Sequence, residues 1–154
     1  PIHARGLVKR YGTLVAVGAS VGFTIDALDL PVDDFLAGLP RDQFYAPGSL
    51  VGLSIDTTHA LGSGMPLSAA AWIEGGSAFR APVDAPMTVV ARYASSPVAR
   101  SGWVLGGSWI AGRPALVEVT LGRGRVILFG FRPQYRGQAL VTYPLLFNAL
   151  KRVR

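Results

Sequence analysis

Residues 113–138 read Arg113-Pro-Ala-Leu-Val-Glu-Val-Thr-Leu-Gly-Arg-Gly-Arg-Val-Ile-Leu-Phe-Gly-Phe-Arg-Pro-Gln-Tyr-Arg-Gly-Gln138, and the fold turns on how they are parsed. Residues 115–121 alternate apolar and polar side chains until Gly122-Arg123-Gly124 turns the chain, and residues 125–131 return as a nearly unbroken apolar run. That pattern predicts a hairpin whose second strand is buried on both faces. A polar loop follows at 132–138, and Thr142 opens a helix with Pro144 in its first turn, where a missing N–H is harmless. Leu145, Leu146, Ala149 and Val153 fall on one face of this helix, with Phe147 and Leu150 widening it. A buried strand, a decorated loop at its carboxyl end and a closing helix are the parts of an open α/β sheet.

The chain has 154 residues, half of them apolar, enough for one globular domain with a sizeable core. No apolar run approaches the roughly 20 residues of a membrane span, and the start lacks the layout of a signal peptide. A membrane partner is not expected. The first residue is Pro1 rather than Met, so the expectation is one domain over residues 1–154 cut from a longer polypeptide. The absence of cysteine excludes disulfides, thiolate chemistry and zinc sites that need sulfur. The net charge of +6 is uneven: residues 113–154 hold eight of the 15 Lys and Arg but one of the nine acids, Glu118. Such asymmetry suits either a solvated rim or an anion-binding face, and nucleic acid is not the expected partner.

Before the hairpin, residues 2–11 read as an amphipathic helix stopped by Gly12. Residues 13–17 are an apolar strand without alternation, hence central and parallel, and 18–20 turn into a helix running to about Leu28. A start on helix, strand and helix suggests that the amino-terminal half of a doubly wound fold is missing. Pro31 ends the second helix, and 32–48 are irregular, with one helical turn around 33–36. Strands are expected at 49–55, 69–74, 78–81 and 87–93, and a glycine-rich loop at 56–66. This β-rich middle argues for a mixed sheet.

Three places could carry chemistry. Gly18-Ala19-Ser20-Val21-Gly22 fits G-x-S-x-G between a strand and a helix, which would make Ser20 a nucleophile with Asp56 and His59 as acid and base. The plainer reading has the glycines allowing close packing and Ser20 capping the helix. Asp56 with His59 offers two metal ligands where a catalytic zinc wants three, and His3 lies far away on the terminal helix. His59 then bonds a backbone carbonyl or packs within its loop. Arg132, Gln134, Tyr135 and Arg136, beyond the carboxyl end of the buried strand, could hold a carboxylate, phosphate or sugar. Alternatively, the two arginines tie the loop to its neighbours or to a sister domain.

Several segments also resemble a known family. Leu30-Pro-Val, Phe35-Leu-Ala-Gly-Leu-Pro40, Phe44-Tyr-Ala-Pro-Gly-Ser-Leu50, Asp56-Thr-Thr-His-Ala-Leu-Gly-Ser-Gly-Met-Pro66, Gly122 through Gln138 as quoted, and Leu146-Phe-Asn-Ala-Leu150 are similar to the carboxyl-terminal domain of large bacterial zinc carboxypeptidases of the M14 type. That domain resembles class I glutamine amidotransferases, so the resemblance implies a flavodoxin-like or amidotransferase-like open mixed sheet. It implies zinc in the parent's peptidase domain, bound through a His-x-x-Glu motif absent here, and therefore no cofactor in this chain. An amidotransferase needs a nucleophilic Cys at the turn after a central strand and a later His and Glu close together; this chain has no cysteine, and its only later His is His59. The function expected is a non-catalytic accessory domain whose partner is the parent's peptidase domain, with homodimerisation when isolated. The alternatives are a serine hydrolase using Ser20 with His59, and a polyanion- or glycan-binding module with an open basic surface around Arg123, Arg125, Arg132 and Arg136.

Overall fold

The computed structural model describes residues 12–152; the expected helix at 2–11 and Val153 lie outside them. The chain runs β1 (Thr13–Val17), α1 (Ser20–Leu28), β2 (Asp33–Asp34), β3 (Ser49–Ile55), a 3-10 turn (Ala60–Gly62), β4 (Ser68–Ile73), β5 (Phe79–Arg80), β6 (Met87–Tyr93), β7 (Ala99–Ser101), β8 (Pro114–Leu121), β9 (Gly124–Phe129) and α2 (Tyr143–Lys151). Six strands form one mixed sheet in the order β1-β9-β8-β6-β3-β4, with β7 pairing β3 off that path. The hairpin of residues 114–129 forms as expected, with Leu121 opposite Gly124.

Period-two alternation on β9 explains the two-layered core. Val126 and Leu128 face α1 with Val117, Val119, Val21 and Leu28, while Ile127 and Phe129 face α2 with Leu116, Leu145 and Ala149. All four β9 side chains are fully buried. β1 pairs with β9 in parallel, Val17 opposite Phe129, whereas the remaining pairings are antiparallel. Adjacent parallel strands whose following helices cover opposite faces leave a crevice outside their carboxyl ends.

Sequence and structure differ at four places. β1 is parallel but not central: it ends the strand order of the described residues. The turn expected around 33–36 starts one residue later, the Ala37 amide donating to the Asp34 carbonyl, because residues 33–34 form the two-residue strand β2, paired with β5, and Asp34 Oδ1 accepts hydrogen bonds from the amides of Leu36 and Ala78. A short polar side chain that bonds local backbone competes with helix at such a site. Phe147 and Leu150 do not widen the inward face of α2; they stand 54% and 49% exposed, because Leu145 and Ala149 already fill the space over the sheet. β7 carries no strand signal in the sequence, since Ala99-Arg100-Ser101 is three residues long and two of them are polar.

Candidate functional site

The crevice at the carboxyl ends of β1 and β9 brings together two segments, far apart in the chain, that the sequence marked separately. Gly18 and Ala19 stand on one side, Arg132, Gln134 and Tyr135 on the other, around a cavity of about 380 Å3. A second cavity of about 370 Å3 lies behind Arg132 and is lined by Gly18, Asp34, Glu74 and Ser77. Gly18, Ala19 and Arg132 line both.

The loop after β9 is held from several directions. The Arg132 amide donates to the Trp72 carbonyl at 2.9 Å, joining the loop to β4. The Arg132 guanidinium lies 4.0 Å from Glu74 Oε2, a half-exposed pair that contributes little stability by itself. Tyr135 stacks on Trp72, with ring centroids 5.8 Å apart and planes 16° from parallel. The Arg132 and Arg136 guanidinium carbons lie 4.8 and 5.2 Å from the Tyr135 centroid, within cation–π range. Trp72, Glu74 and Asp34 carry no local sequence signal for this place; only the sheet order brings them there.

The strand-to-helix turn differs from the one the G-x-S-x-G pattern implies. A nucleophile elbow presents its reactive side chain from the strained position of the turn. Here the positive φ of +63° belongs to Gly18, which has no side chain, and Ser20 sits two residues later in the first turn of α1. The Ser20 hydroxyl folds back on β1: it accepts from the Val17 amide at 3.0 Å and donates to the Val17 carbonyl at 2.9 Å. Ser20 caps no helix amide, so the expected helix cap is also corrected.

Asp56 and His59 are not partners for Ser20. The pairings run Val17–Phe129–Leu116–Ala91–Ile55, so β1 and β3 are four strand spacings apart, on the order of 19 Å at about 4.8 Å each. His59 Nδ1 accepts from the Leu61 amide at 3.2 Å and caps the 3-10 turn, rather than bonding a carbonyl. The hydroxyl and amide of Thr58 hold the Asp56 carboxyl below its ordinary range. Among the described residues, no three His, Cys, Asp or Glu gather to hold a metal ion.

The four arginines expected around an open basic surface lie in two groups. Arg123 and Arg125 lie at the amino end of β9 and Arg132 and Arg136 beyond its carboxyl end; seven residues of nearly extended chain separate Arg125 from Arg132 by roughly 20 Å. Arg125 is moreover engaged, 3.3 Å from Glu118 Oε1.

No protein-family model and no curated protein matches the chain. Solved structures do. A cytoplasmic protein of Salmonella typhimurium matches 97% of this chain and 58% of its own at 17% identity and a TM-score of 0.59. A protein of Thermoplasma acidophilum described as a GMP synthase component matches 92% of this chain and 56% of its own, with 13% identity and a TM-score of 0.53. The β-galactosidase of Bacillus circulans sp. alkalophilus matches 96% of this chain but 20% of its own, with 12% identity and a TM-score of 0.55. The chain thus has an amidotransferase-like, flavodoxin-like fold and spans no more than about three-fifths of these neighbours.

Proposed function

We propose that this chain is a non-catalytic accessory domain of a zinc carboxypeptidase of the M14 type, packing against the peptidase domain and placing it or its substrate. The sequence segments from Leu30 to Leu150 support the identity of the parent. The observation that carries the non-catalytic part is the turn after β1. The residue with the left-handed backbone of a nucleophile elbow is Gly18, and across the crevice from it stand Arg132, Gln134 and Tyr135, with no His or Glu among the residues lining that cavity. A glycine cannot attack a carbonyl, and a guanidinium does not give up its proton to act as a base. The recurrence of the fold as about a fifth of a β-galactosidase supports a role inside a larger hydrolase.

The polypeptide encoded by the complete reading frame is expected to release carboxyl-terminal residues from peptides, and a chelator to abolish this. The 154-residue chain alone is expected to leave glutamine and peptides intact and to take up no fluorophosphonate. Stoichiometric labelling of Ser20, turnover by the isolated chain, or a parent whose peptide hydrolysis ignores chelators would overturn the reading.

A further inference from the structure

One edge of the sheet is built to receive another strand. Among the described residues β1 is paired only with β9. The Arg125 amide donates to the Gly12 carbonyl, which turns residues 12, 14 and 16 toward β9 and aims the main-chain groups of Thr13, Val15 and Val17 at the free side. Those of Val17 are taken by the Ser20 hydroxyl. The amide and carbonyl of Thr13 and Val15 have no partner among the described residues.

Natural sheets blunt an exposed edge with lysine, proline or a bulge. β1 has none of these: it reads Thr-Leu-Val-Ala-Val and its register with β9 is unbroken. At the other end of the sheet, β4 is bridged on its outer side by Arg132. Leu14, Val15 and Val17 pack against the two core layers yet are only partly covered, the condition of an interior parallel strand that lacks its second neighbour.

The helix beside this edge is prepared in the same way. Asn148 donates to the carbonyls of Leu61 and Ser63, which fixes the side of α2 that faces the loop after β3. Helical spacing puts Tyr143, Leu146 and Leu150 on the opposite side, toward β1, and Thr13 Oγ1 donates to the Arg152 carbonyl at 2.7 Å, holding the end of α2 against the start of β1. Exposed Leu150 extends this apolar strip outward from the free edge.

We propose that Thr13 and Val15, with Leu146 and Leu150, form the seat of one further parallel β-strand, apolar at its pairing positions and supplied by the parent polypeptide. This names the joining surface of the accessory domain and rests on that reading. The occupant is chosen because the Salmonella and Thermoplasma structures match nearly all of this chain with just over half of a longer single chain, and because the one parallel pairing among the described residues lies at this edge.

The test is amide hydrogen exchange at Val15, read in the 154-residue chain and in the polypeptide of the complete reading frame. Exchange is expected to be about 100-fold slower in the longer polypeptide. Val15→Pro, which removes an outward amide, is expected to leave the melting of the short chain nearly unchanged. In the longer polypeptide it should speed exchange at Thr13, which keeps its own amide. Equal exchange in both polypeptides would overturn the proposal. So would protection that appears in the short chain as its concentration rises, with dimer mass by sedimentation, since the occupant is then a second copy. A protected Val15 in a parent without chelator-sensitive peptidase activity would sink the proposed function and leave this seat standing.

Discussion

Replacing Gly130 by alanine is expected to cost about 3 kcal/mol and to lower the melting temperature by about 10 °C. Gly130 follows β9 and lies within a knot of main-chain groups. Its amide donates to the Ala115 carbonyl at 2.7 Å, and its carbonyl accepts from the Ser77 amide at 2.9 Å and from the Tyr93 hydroxyl at 2.7 Å. A Cβ at this position would run into the Ser77 carbonyl and come within 2.9 Å of the Ala115 carbonyl and 3.0 Å of the Tyr93 hydroxyl oxygen. None of these is the free end of a flexible side chain: two are backbone, and Tyr93 is fully buried, with burial pushing its phenol well above the ordinary range. The chain must therefore shift at the very turn that aims Arg132 into the crevice. Thermal unfolding of Gly130→Ala checks this, and a change below about 1 kcal/mol would mean that the knot yields.

Glu118→Ala is expected to cost a similar amount, about 3 kcal/mol, although no catalytic or binding role attaches to Glu118. This carboxylate, with a side chain 10% exposed, lies on the α2 side of β8 and meets Arg125 at 3.3 Å and Arg152 at 3.4 Å through the same oxygen. Removing it leaves Arg152, whose Nε is buried without a partner, as an uncompensated cation at the end of α2. Arg125→Ala is expected to cost only about 0.5 kcal/mol, since that guanidinium is half in water. Denaturant titration of the two variants gives the comparison, and a Glu118→Ala cost as small as that of Arg125→Ala would show that Arg152, once the carboxylate is gone, is easily resolvated.

Much of the fold was legible because β3 and β6 announce themselves. Both are seven-residue strands with the bounds their apolar pattern suggests, ended by Asp56 and by the break before Pro97. The hairpin was equally plain, because Gly122-Arg123 can only turn between two such runs. The site was half legible. The loop at 132–136 and the turn at 18–22 were each singled out, but no local pattern says that β1 lies against β9, so their meeting in one crevice was invisible. The same blindness to direction joined Arg125 to Arg132, which the strand between them holds apart. A five-residue pattern with two glycines also leaves open which residue takes the left-handed conformation, and here Gly18, not Ser20, has it. On α2, nine residues apolar on nearly every side do not reveal which stripe faces the core.

The bond between the Ser20 hydroxyl and both main-chain groups of Val17 sets a limit on anything laid alongside β1. Its ladder runs out of partners one residue short of Gly18, so a visiting segment has no reason to continue past the strand's end. The mouth between Gly18 and Gln134 would then stay open to solvent even in the assembled protein, accessible to a small solute that never touches the joint.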